Sequence, residues 1–147
     1  MMDLKQKHML KADIGTLHFE TKEWISETDF YEEELHFLKQ LIQNKIGSNT
    51  TEGQDHKEIY QHIDTMLAQL SDEFQILLAE HEKQLFTALD KENSRDSAYI
   101  ISEHKNLALK MTALKKGVIQ LKKSIFGYVK NNPFGYVTSS LNEDQEA

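Results

Sequence analysis

Between His104 and Tyr128 the core-type residues fall at His104, Leu107, Met111, Leu114, Val118, Leu121, Ile125 and Tyr128. Their spacing alternates three and four without a miss, which is the seam of a heptad helix. With His104 at position a, Lys116, Lys123 and Lys130 fall at f, opposite the seam. Lys115 and Lys122 fall at e and Lys110 at g, flanking it. Such a helix packs along one side and shows lysines on the other.

The preceding chain repeats the pattern twice. Thr21 is placed to cap a first helix with Glu23 in its first turn. That helix runs to about Lys45 with a stripe of Trp24, Tyr31, Leu35, Leu38 and Ile42. Phe30, Phe37 and Leu41 are expected to widen the stripe towards a second neighbour. Asp55 and Glu58 form a capping box for a second helix. Its stripe is Ile59, Ile63, Met66, Leu70, Phe74, Leu77, His81, Leu85 and Ala88. A polar turn, Asp90 to Asp96, leads into the third helix, which Asn132-Pro133 stops after Asn131. The fold class is therefore all-α, an antiparallel up-down-up bundle of three long helices over residues 20–131. Residues 1–19 form an N-terminal arm with Gly15 as a break, and residues 132–147 an acidic tail expected to be mobile. Phe126-Gly127-Tyr128-Val129 recurs as Phe134-Gly135-Tyr136-Val137 in that tail.

Short connections set the levels of the helices. His81 comes level with His104, and the first helix begins near residue 82 of the second. The hairpin tip carrying Leu85, Phe86, Leu89, Tyr99, Ile100 and Ile101 then projects beyond the first helix and needs a cover. The folded-back arm or a second subunit would supply it.

Composition narrows the function classes. The 147-residue chain holds one proline, six glycines and no cysteine, so it has few breakers, no disulfide and no thiol chemistry. Lys5, Lys7, His8, Lys11 and Asp13 interrupt the N-terminal apolar residues, and no run reaches membrane-span length, so a cytoplasmic location is expected. Net charge is −7 but unevenly placed: residues 20–45 carry −4, residues 56–92 carry −5 and residues 95–131 carry +6. The plainer meaning is a basic helix lying against two acidic ones. A binder of anionic lipid surfaces is the sharper one. Nucleic acid is not expected, since Arg95 is the sole arginine and no aromatics interleave the lysines.

Candidate chemistry converges on one level. His81 and His104 lie on core stripes where the first helix begins, and Glu20 and Glu27 flank Trp24 by a turn each way. Two histidines and one or two carboxylates inside a bundle are the donors of a Zn²⁺, Mn²⁺ or Fe²⁺ site. The preferred reading is a pair of buried histidines bonded to each other, to a carboxylate or to Tyr99. Glu33-Glu34-Leu35-His36 is a lone E-x-x-H, whereas a ferritin-like site needs two. There is no G-x-S-x-G, and Gly47 to Gly53 lacks the phosphate-loop lysine.

The run Trp24-x-x-Glu27-x-Asp29-Phe30-x-x-x-Glu34-Leu35-x-Phe37-Leu38-x-x-Leu41 resembles the opening helix of a group of small uncharacterised bacterial helical-bundle proteins. His81-Glu82 and Glu103-His104 are similar to elements of their later helices. The resemblance implies a bundle fold and no activity. The function expected is thus a non-enzymatic interaction or scaffold protein with a protein partner or a second copy of itself. A metal-binding bundle is the alternative, and an anionic-surface binder the third reading.

Overall fold

The computed structural model describes residues 4–48, 54–90 and 97–131, and every one of them is helical. Helix α1 spans Leu4–Ser48. Helix α2 (Gln54–Gln69), a π-helical turn (Leu70–Phe74) and α3 (Gln75–Asp90) follow one another without a gap. Helix α4 spans Ser97–Asn131. The fold is all-α, in three helical runs. The turn expected between Asp90 and Asp96 falls on residues 91–96, which, like the tail at 132–147, lie outside the described residues.

The boundary expected between an arm and the first helix is absent. Thr21 is not a cap: it sits mid-helix, fully buried, and its Oγ1 donates to the Leu17 carbonyl at 2.8 Å. Gly15 does not break the helix either. The reason lies in the spacing, because Ile14, Leu17, Thr21, Trp24, Thr28 and Tyr31 continue one heptad series. A mid-helix glycine costs only about 1 kcal/mol, less than the burial of one isoleucine returns. Ile14 packs with Leu85 and Ile100, joined by Leu17, Ala88 and Leu89, so the N-terminal part of α1 supplies the cover that Leu85 and Ile100 need. Phe86 and Tyr99 at that end stay exposed.

The main core collects residues from all three runs, including Trp24, Leu35, Ile42, Ile63, Phe74, Leu78, Leu107, Val118 and Ile125. Every position of the heptad seam from His104 to Tyr128 is buried. Two expectations fail in detail. Phe30 and Phe37 do not widen the α1 stripe but face outwards. Thr21 and Thr28 take inward positions instead, with Thr28 Oγ1 donating to the Ile25 carbonyl at 2.9 Å, so the buried face stays narrow. In the second run, Leu67 and Leu78 are buried in place of Met66 and Leu77, and those two are only half-buried. Buried positions there follow a three-four-four rhythm, and the π turn lies within it. In that wider turn the Gln75 N–H reaches back to the Leu70 carbonyl, and Leu70 and Phe74 both stay buried.

Contacts between the runs are specific. His56 Nε2 lies 3.3 Å from the Ile42 carbonyl, Lys39 pairs with Asp64, and Gln75 Nε2 donates to Glu32 Oε1 at 3.0 Å. The His18 and Phe86 rings meet at 6.3 Å. On α4, the edge of Tyr128 meets His56, and Lys110 approaches Glu73 at 4.0 Å.

Candidate functional sites

Glu20 and Trp24 of α1, His81 of α3 and His104 of α4 meet in one cluster. His81 Nε2 lies 2.9 Å from His104 Nδ1, and His104 Nε2 lies 3.0 Å from Glu20 Oε1. The Trp24 ring stacks on His104 with centroids 4.5 Å apart and planes 20° from parallel. Both histidines are buried, whereas the Glu20 carboxylate reaches the surface.

Hydrogen-bond inventory fixes how protons run through this chain. A carboxylate only accepts, so His104 Nε2–H donates to Glu20. In neutral His104 the other nitrogen, Nδ1, is then an acceptor, and His81 Nε2–H donates to it. Burial, and next the neighbouring His104, push the His81 pKa from 6.5 down to about 4. His81 is therefore neutral at pH 7. The arrangement joins three helical runs through one polar line inside an apolar core, which selects one register among them.

Of the four residues the sequence singles out, the structure joins Glu20, His81 and His104 and leaves Glu27 out. Glu27 acts on Tyr31 instead: burial first, then the charges of Glu27 and Glu34, push the Tyr31 hydroxyl above its usual pKa. Among the described residues, no group of three or more His, Asp or Glu is placed to hold a metal ion. The sequence pattern passes over His56, which is buried between α1 and α4. Extending the second stripe three residues back from Ile59 would find it.

A second feature lies on the outside of α1 and α4. Glu34 and Lys122 bridge the two helices at 2.8 Å. One helical turn either side of Glu34 stand Phe30 and Phe37, and one turn either side of Lys122 stand Ile119 and Phe126. These four are 57%, 59%, 41% and 57% exposed. An ion pair is thus framed by four large apolar side chains that the core does not use. Of the lysines, Lys110 and Lys122 turn to Glu73 and Glu34, whereas Lys115, Lys116, Lys123 and Lys130 face outwards.

An open groove of about 340 Å³ between α2 and α4 is lined by His62, Thr65, Gln69, Gln120 and Ser124 over Met66 and Gly117, and includes no residue of either cluster. No helix among the described residues is long and apolar enough to cross a membrane. Neither a protein-family description, nor a characterised protein, nor a solved structure matches the chain, so function has to be read from these residues themselves.

Proposed function

We propose a non-enzymatic interaction or scaffold protein of the cytoplasm, built as an antiparallel up-down-up bundle with coiled-coil packing along α4. The bundle reading is supported by the order of contacts. From Ile42 through Lys39 and Glu32 to His18, partners on the second run advance from His56 through Asp64 and Gln75 to Phe86. From Glu73 to His81, partners on α4 retreat from Lys110 to His104. Glu20 meets His104 and Glu34 meets Lys122, so α1 and α4 run the same way.

The observation that carries the interaction reading is the quartet of Phe30, Phe37, Ile119 and Phe126, exposed while the core beneath is filled. At roughly 200 Å² for a whole Phe side chain, the four expose on the order of 400 Å² of apolar surface. An apolar surface of that size is often functional, and its arrangement around the bridging ion pair is what supports an interaction site here. The test is a photo-crosslinking phenylalanine analogue placed in living cells at Phe30 or at Phe37, with His36 as an exposed control. Adducts with any protein, from the two Phe positions and not from His36, are the expected result. Absence of adducts at both would end the reading.

A second reading assigns the Glu20, His81 and His104 trio to Zn²⁺, Mn²⁺ or Fe²⁺. Its support is that the three potential donors lie in one hydrogen-bonded line. Against it, His104 commits both ring nitrogens to protein partners. The outward lysines support the third reading, attachment to an anionic surface, which the engagement of Lys110 and Lys122 with acidic neighbours weakens.

A further inference from the structure

We infer that the partner of the α1/α4 face is a second copy of this chain, related by a two-fold axis parallel to the helices. The inference rests on the interaction reading above and adds the occupant and its orientation.

The first support is the layout of each flank. On α1, Glu23, Glu27, Phe30, Glu34 and Phe37 recur at intervals of four and three, a second heptad row beside the core seam. On α4, Lys115, Ile119, Lys122 and Phe126 do the same. From Glu27 to Phe37 acidic and aromatic residues alternate on one helix, and basic and apolar residues alternate on the other. The face is therefore self-complementary, but only in one orientation.

A closed homodimer needs the same patch on both copies, so two axes lying in the plane of the face compete. An axis across the helices lays α1 on α1 and α4 on α4, carboxylates against carboxylates and lysines against lysines. An axis along the helices lays the acidic α1 row of each copy on the lysine row of the other α4 and keeps every residue at its own level. Glu20 and Trp24 at His104 and Glu34 reaching Lys122 set the α1–α4 register, so Phe37 then comes level with Ile119 of the other copy and the Glu27/Glu34 row lies on its Lys115/Lys122 row. Glu34 and Lys122 from both copies close a four-membered ion network at the centre, with no charge left unpaired. Like charges set opposite each other disfavour the first axis.

Area is adequate. The four apolar residues of each copy, about 400 Å² a side, give about half of a standard interface of roughly 1,600 Å². The Glu and Lys rows supply a polar rim of the usual kind.

Sedimentation equilibrium of the full chain is expected to give twice the 17.1 kDa chain mass. The Phe30→Gln/Phe126→Gln variant is expected to raise the dimer Kd at least about a hundredfold, as loss of central aromatic anchors does. Its helicity by circular dichroism should be unchanged, because both side chains lie outside the core. Raising salt from about 0.05 M to about 0.5 M should weaken the wild-type dimer several-fold by screening the opposed rows. The chain has no cysteine, so orientation is read by mixing Phe37→Cys chains with Ile119→Cys chains under mild oxidation. The mixed disulfide should dominate over either homodisulfide. A wild-type monomer at every concentration, a dimer indifferent to the double variant, or a dominant Phe37→Cys homodisulfide would each overturn the inference. Photo-adducts of Phe30 with other proteins, alongside a monomeric chain, would overturn only the choice of partner and leave the interaction reading standing.

Discussion

His81 Nε2 and His104 Nδ1 face each other at 2.9 Å across the α3–α4 contact, each ring sealed from solvent. The pair lets two helices share a proton inside the core, and Glu20 ties the third run to it through the other His104 nitrogen. Breaking the line at any member leaves a buried polar atom without its partner, at a cost greater than the worth of the bond itself.

Acid should loosen the fold through His81. Its folded pKa is about 4 against 6.5 for an unperturbed histidine, so the unfolded chain binds the proton first. The stabilisation is complete above pH 6.5 and is lost as pH falls through 4. At about 1.4 kcal/mol per pKa unit, the full window is worth on the order of 3 kcal/mol. Urea unfolding of wild type and His81→Phe at about pH 7, 6, 5 and 4.5 checks this. The difference between their stabilities should shrink with acid, since Phe has no proton to take up. A constant difference would show that His81 titrates alike in both states.

Glu20→Gln should cost about 1 kcal/mol, a discounted value for a hydrogen bond to a carboxylate that is itself 44% exposed. A double-mutant cycle with His104→Gln isolates it. Additive effects would mean that the 3.0 Å contact contributes nothing.

Leu35→Ala and Phe37→Ala lie two residues apart on α1 and should behave oppositely. Leu35 is fully buried in the main core, and its truncation is expected to cost about 2–5 kcal/mol. Phe37→Ala should change monomer stability by less than about 0.5 kcal/mol, as an exposed position does. Chemical denaturation at low protein concentration separates the two. Similar losses would place Phe37 inside the fold.

That contrast also shows what is legible in the sequence. Periodicity alone yields the α4 seam position by position, because a strict heptad admits one buried face. It fails at Phe30 and Phe37, where apolar character suggests burial and the buried threonines Thr21 and Thr28 are passed over. Hydropathy assigns a threonine to solvent, yet a helical threonine satisfies its own hydroxyl on the preceding turn and packs as a small residue. Met66 and Leu77 are off by one for another reason: each stands beside a second apolar residue, Leu67 and Leu78, and apolar character does not choose between neighbours. The histidine site is legible as a shared level. Glu20 and Glu27, seven residues apart, share one flank of α1. That Glu20 and not Glu27 completes the site therefore depends on the level of α1 against α4, which one helix's pattern does not specify.

Gly15→Ala should stabilise the protein by about 0.5–1 kcal/mol, the helix preference of alanine over glycine. A methyl group at Gly15 meets nothing within 4 Å, and the residue lies inside α1. Thermal melts check it. A loss of stability would show that the chain bends at Gly15, as the sequence pattern alone suggests.

The last prediction decides between the two uses of the histidine pair. A metal bound by His81 and His104 requires both facing nitrogens to offer lone pairs to one point about 2.0–2.1 Å from each. The hydrogen bond requires the opposite, one nitrogen bearing the proton and the other accepting it. Glu20 bears on the choice, because its bond fixes the proton of His104 on Nε2 and makes Nδ1 the acceptor that His81 needs. A bound Zn²⁺, Mn²⁺ or Fe²⁺ would have to displace that donated proton and then raise thermal stability by mass action. Elemental analysis of protein purified without an affinity tag should therefore find no stoichiometric metal, and melts with and without chelator should coincide. His81→Gln and His104→Gln should lower the melting temperature equally in both conditions. Stoichiometric metal that disappears in either variant would reverse the assignment, turning the buried line of hydrogen bonds into the metal-free form of a metal centre.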